Sequence, residues 1–149
     1  MGWTMDNLFA LGNGIAMAGW IGLAVAPLAP RWRTSIWRLT GIAMPALLAV
    51  GYLALVAPSL AEVRYGSLAQ VRGLFDNPSM LLAGWWHYLA FDLFVGTWIA
   101  RDGQRTGVPH WALLPCLALT FMFGPLGLLA YLGTRAAVTR TLKSSLQEI

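Results

Sequence analysis

An all-α membrane bundle is the fold the sequence predicts, and three observations predict it. The chain has 149 residues, 58% hydrophobic and only 11% charged, where a soluble domain carries about 25% charge. Its apolar residues gather into four stretches, about 8–28, 39–60, 79–100 and 111–132. Each stretch has the roughly 20 residues that a helical membrane span needs. Little chain remains for a soluble unit. The expectation is one transmembrane domain over 1–149: an integral four-helix bundle, with a short interfacial amphipathic helix between the second and third spans.

The first span carries Ala10, Gly14, Ala18, Gly22 and Ala26 at a spacing of four. Such a strip lets a neighbouring helix approach closely, so it is the expected packing face. Trp32 and Trp37 flank the first loop and Trp98 and Trp111 the third, as in an aromatic belt. Pro45 is a candidate kink in the second span. In the second loop Leu68, Val71, Leu74 and Phe75 recur at helical spacing, the pattern of a helix lying in the interface. Asn77-Pro78 reads as the N-cap and first residue of the third helix. Pro109 has the same place before the fourth, where Gly124-Pro125 reads as a kink that frees backbone carbonyls at membrane depth.

Charge excludes some classes. The net charge is +4, but the ten basic residues are scattered through short loops and the tail, a topology signal and not a nucleic-acid surface. For four crossings they divide evenly between the two sides, so the count fixes no orientation; the weight of the first loop favours an outside N-terminus. Arg135, Arg140 and Lys143 read as a solvated tail facing lipid headgroups. Met1–Asn7 carries no Lys or Arg, unlike a secretory n-region, and no transit-like extension precedes the first span. The expected location is therefore a bacterial-type cytoplasmic membrane. The single cysteine, Cys116, excludes an internal disulfide and a Cys-rich metal site; no metal and no cofactor is expected.

Asp92 is the residue that points to chemistry. A carboxylate in the middle of a span costs a few kcal/mol to insert and must face protein, water or a polar ligand. Gly84, Tyr88, Asp92, Gly96 and Ala100 share one face of the third helix, so Asp92 lies on its small, packing side. Asn13 is another intramembrane polar group and a candidate partner for it. His87 stands five residues before Asp92, about 140° around the helix. The two are candidate acid and base; the plainer reading is that both only hydrogen-bond across helices. A haem held between His87 and His110 is excluded, because the histidines are roughly 20 Å apart along the helix axes. Trp20, Trp85 and Tyr88, with Trp86 and Tyr52, would suit a long apolar conjugated ligand, although such residues also serve as belt and core.

Two segments, Asn77–Gly103 and Val108–Leu132, resemble the small integral membrane proteins typified by the plant plastid protein of neoxanthin synthesis, named after an abscisic-acid-deficient mutant. The matching features are HYLAFDLFVG (His87–Gly96), Arg101-Asp102 and FGPLGLL (Phe123–Leu129), with Asn13, Gly19-Trp20 and Pro27 fitting more loosely. The resemblance implies a place in carotenoid or isoprenoid metabolism, where the plant member opens a 5,6-epoxide to an allenic alcohol. It implies an isomerisation without cofactor, with Asp92 as proton donor and His87 as acceptor. The candidate ligand-binding residues are Asn13, Trp20, Trp85, Tyr88, Gly96, Gly124 and Pro125. The residues themselves leave open whether the chain is an enzyme. A pigment- or lipid-binding assembly subunit and a small proton-coupled transporter, the latter as a homo-oligomer, are the competing expectations. Membrane lipid is the partner in each case.

Overall fold

A computed structural model describes residues 2–147, with side chains placed through Arg140. Helices α1 (Met5–Val25), α2 (Arg33–Arg38), α3 (Met44–Val56), α4 (Leu68–Leu74), α5 (Pro78–Arg105), α6 (His110–Phe123) and α7 (Pro125–Gln147) carry the fold, and no strand occurs among the described residues. The helix starts follow from local chemistry. Thr4 Oγ1 accepts the Asn7 N–H at 3.2 Å and opens α1. Ser67 Oγ accepts the Gln70 N–H at 3.3 Å and opens α4. Asn77 Oδ1 accepts the Ser79 N–H at 2.9 Å, with Pro78 as the first residue of α5. Each cap satisfies a backbone donor that the first helical turn leaves free.

Two continuous helical runs, Met5–Leu28 and Arg33–Glu62, are long and apolar enough to cross a membrane. Only 28% and 17% of their apolar stretches is buried within the protein, so neither is the enclosed core helix of a globular domain. Ile21, Leu28, Ile42, Leu47, Val50 and Leu53 are all exposed. The second run contains a π-helical turn, Leu39–Ala43, just before Pro45. Proline supplies no N–H to the helix ladder, and the widened turn absorbs the mismatch.

α5 is the central element, packed on α1, α3 and α6. α1 runs parallel to it: Gly12 lies against Trp86, Gly19 against Leu93, and Gly96 against the Trp20 indole. The run from Arg33 to Glu62 is antiparallel, with Gly41 on Thr97 and Gly51 on the Trp86 ring. Trp86 is thus wedged between glycines of two helices. The packing face of α1 is Gly12, Ala16, Gly19 and Leu23, all buried. This corrects the first part of the expected strip, since Ala10, Gly14 and Ala18 are exposed, whereas Gly22 packs on Ile36 and Ala26 is buried. The shapes of Trp86 and Leu93 choose the face, because only glycine leaves them room.

The larger correction concerns the stretch at 111–132. It is not one kinked helix. α6 ends at Phe123, Gly124 turns the chain with φ +44°, and α7 returns alongside α6. A Cβ on Gly127 would overlap the Thr120 backbone, and Cys116 Sγ lies 3.8 Å from Thr134 Oγ1. Residues 18 positions apart in a continuous helix would be roughly 27 Å apart. α6 and α7 therefore form an antiparallel hairpin, with its tip beside the middle of α5.

Candidate functional site

The hairpin tip meets α5 at Asp92. The carboxylate lies against Gly124, where a Cβ would come within 2.8 Å of Oδ1. A glycine is required there twice over, by its positive φ and by the carboxylate. Asp92 Oδ2 is buried and has no hydrogen-bond partner. Tyr88, one turn earlier on α5, stands beside the carboxyl. Its hydroxyl, however, donates to the Phe121 carbonyl in the last turn of α6 at 2.9 Å. A phenol has one proton to give, so Tyr88 closes the hairpin onto α5 and leaves the carboxyl oxygen free.

Most of the residues singled out in the sequence converge on this point. Trp85 Nε1 donates to Asn13 Oδ1 at 2.9 Å, so Asn13 pairs with Trp85 and not with Asp92. The Trp85 ring is 5.6 Å from Phe9 and 5.4 Å from Tyr88. Phe9, Trp85 and Tyr88 make an aromatic track that ends at the Asp92 carboxyl. Trp20 is buried over Gly96, with its ring 5.5 Å from Phe121. Gly124 and Pro125 form the reversal itself. Because the hairpin turns beside Asp92, it leaves Phe9 45% and Trp85 39% exposed. The track is open along the α1–α5 seam, and a groove lined by Met5, Phe9, Pro78, Leu81 and Trp85 continues it.

His87 stands apart. It is exposed, stacked 4.5 Å from Phe91 and 5.8 Å from Tyr52 of α3. Asp92 instead faces the hairpin. Their 140° separation on a straight helix is preserved, and the structure does not bring the two together as acid and base.

A second polar group lies nearer the C-terminal end of α5. Tyr131, fully buried on α7, donates its hydroxyl to Asp102 Oδ2, and Arg135 approaches the same oxygen at 3.3 Å. Trp98 meets Tyr131 edge-on at 5.5 Å. This network ties the returning helix to α5, so Arg135 is a bridging cation and not merely a headgroup-facing one. Asp102 was visible in the sequence as part of Arg101-Asp102. Its partners were not, because they are adjacent only if the chain reverses at Gly124. His110 Nε2 lies 3.1 Å from the Ala24 carbonyl and fastens the start of α6 to the end of α1. Among the described residues no group of three or more His, Cys, Asp or Glu side chains could hold a metal ion.

No curated protein and no solved structure matches the chain. A family model does, over residues 7–131, a range that includes the whole aromatic track, Asp92, the reversal and Tyr131. The chain belongs to the ABA DEFICIENT 4-like family.

Proposed function

We propose that the chain is a multi-pass membrane protein that binds a carotenoid or related isoprenoid along the Phe9–Trp85–Tyr88 track and isomerises it at Asp92. The membrane reading is supported by the exposed apolar side chains of α1, α3 and α5, among them Ile21, Val50, Phe91 and Phe94. An exposed apolar surface of this extent needs lipid or a partner. α1, the run from Arg33 to Glu62, and α5 would cross the bilayer, while α6 and the start of α7 would enter it as a hairpin. A 14-residue apolar helix such as α6 suits a re-entrant segment better than a full span.

The single observation that carries the catalytic reading is the Asp92 carboxyl at the end of an open aromatic track, with one oxygen unclaimed by the protein. The resemblance to neoxanthin-synthesis proteins supplies the reaction class. Asp92 in its acid form gives its proton to an epoxide oxygen as the C–O bond opens. The neighbouring vinylic carbon then loses a proton to the same carboxylate, and its C–H electrons complete the new double bond. Atoms and charge balance without a redox cofactor, and Asp92 regains its acid form. Stacked aromatic rings suit a long conjugated chain, and Tyr88 holds the hairpin that walls the site. His87 has no part in this step.

One observation favours a structural role for the same group. Asp92 stands at the start of α7, where the helix dipole attracts an anion. A capping carboxylate would accept backbone N–H bonds, yet no backbone N–H donates to Asp92 among the described residues. The test is expression in a carotenoid-producing host, mild detergent extraction, and an absorbance spectrum with mass spectrometry of what co-purifies. A stoichiometric pigment that changes isomeric form over time supports the reading. Asp92→Asn should retain the pigment and cut conversion at least about 100-fold. A colourless wild-type preparation, or full conversion by Asp92→Asn, overturns it.

A further inference from the structure

Reversal at Gly124 changes which residues share a side of the molecule. α7 returns toward the end of α5 that holds Asp102 and carries Arg135, Arg140 and Lys143 with it. Arg31, Arg33 and Arg38 stand at that end too, because Gly22 of α1 lies against Ile36 and Thr40. So do Arg101 and Arg105. Eight of the ten basic residues therefore share one end. The opposite end, with the start of α1 and residues 57–77, holds Arg64 and Arg72 beside Asp6, Glu62 and Asp76. An even division becomes a strong asymmetry once the fourth stretch is a hairpin.

The basic end is not internally neutralised. Asp102 is its only described acid, and Arg135 occupies it. Arg31, Arg38, Arg101, Arg105 and Arg140 are exposed, and none has an acidic partner among the described residues. Arg33 lies 5.4 Å over the Trp37 ring, with the Gln104 side-chain amide against its guanidinium. Arg33, Trp37, Gln104 and His110 line a cleft at this end, floored by Leu23 and Leu113. Cation and apolar floor together match a phosphate headgroup joined to an acyl chain.

We infer that this end is a docking face for anionic phospholipid headgroups on the cytoplasmic leaflet, with the N-terminus on the far side and the α7 C-terminus on the cytoplasmic side. The inference rests on the membrane reading above but not on the pigment. Basic residues near span ends are retained on the cytoplasmic side, and clustered cations there bind acidic lipid. Asp92 then stands about halfway across, with the Phe9 end of the track opening toward the outer leaflet.

Two measurements on the full chain test it. The first places the termini in a bacterial inner membrane. Gly2→Cys in a Cys116→Ala background is labelled in intact cells with an impermeant maleimide, and a C-terminal fluorescent protein reports a cytoplasmic end. Labelling with fluorescence is expected. Both termini on one side would overturn the hairpin, and an outside C-terminus would overturn the cytoplasmic face. Release of the chain by an alkaline carbonate wash would overturn the membrane reading itself, whatever the fate of the pigment.

The second is thermal melting of the detergent-purified protein with phosphatidylglycerol or phosphatidylcholine. Phosphatidylglycerol alone should raise the melting temperature, with apparent affinity at least about tenfold weaker in the Arg33→Gln/Arg101→Gln/Arg105→Gln variant. An Arg64→Gln/Arg72→Gln variant should respond as wild type. Equal responses to the two lipids, or an unchanged triple variant, would overturn the docking face.

Discussion

The three long helical runs and the C-terminal hairpin are packed by partly different means. Where α1 and the Arg33–Glu62 run meet α5, glycines receive large side chains: Gly12 and Gly51 take Trp86, Gly19 takes Leu93, and Gly96 takes Trp20. The polar exception is a hydroxyl cluster. Thr40 donates to the Ile36 carbonyl at 3.0 Å, and Thr97 Oγ1 is 2.9 Å from both Thr40 Oγ1 and the Leu93 carbonyl. The hairpin seats Leu113 against Gly103 of α5 and also joins α5 through Tyr88 and the Phe121 carbonyl, and through Tyr131, Arg135 and Asp102. Both regions pack by shape, and the hairpin adds polar ties to α5. The contrast separates the glycine-packed helical runs from the element that walls Asp92.

Opening the hairpin should damage the protein most. Gly127→Leu would drive a side chain into the Thr120 backbone, which has no room to yield. It should cost more than about 3 kcal/mol and leave no folded peak in size-exclusion chromatography. Gly133→Leu on the same helix meets nothing within 4 Å and should melt as wild type. In the long helical runs, Gly51→Leu must displace the wedged Trp86 ring; thermal melting should show a loss of about 3 kcal/mol. Gly124→Ala is a gentler attack on the tip, since alanine resists the positive φ. A loss of about 1–2 kcal/mol is expected, with conversion falling further than stability because the new methyl group presses on Asp92. Thr97→Val should cost about 1 kcal/mol through the hydroxyl cluster alone. The smallest effect is assigned to His87→Ala, which should keep conversion within about twofold of wild type. A large loss there would return His87 to the chemistry.

Local signals in the sequence reached the local structure. Asn77-Pro78 opened α5, the Leu68–Phe75 pattern produced a short helix, and Pro109 preceded α6. The face shared by Gly84, Tyr88, Asp92 and Gly96 does turn toward neighbouring helices. Two features were not legible. In a helix apolar all round, polarity does not mark the packed side, so the first half of the spacing-of-four strip, Ala10 to Ala18, pointed away from Gly12 and Gly19 while Gly22 and Ala26 are packed. Gly-Pro marks a break but not the direction in which the chain leaves it. That Thr120 would lie against Gly127, and Asp102 beside Tyr131, depends on tertiary contact. Asn13 is half-buried, and the donor it accepts from is the Trp85 indole rather than a group at Asp92.

The parallel alignment of α1 with α5 has a consequence for biosynthesis. Asn13 meets Trp85, Trp20 meets Gly96, and Ala24 meets His110, offsets of 72 to 86 residues. During translation the first helix is in place long before any of these partners has been made. Until then its neighbours are those of the next helical run, with Gly19 on Met44 and Gly22 on Ile36 and Thr40. The Ala24 carbonyl is claimed only once residue 110 has been made. The packing of the first helix is therefore completed only late in synthesis, and a chain stopped before residue 110 would lack the bond that ties its end to α6.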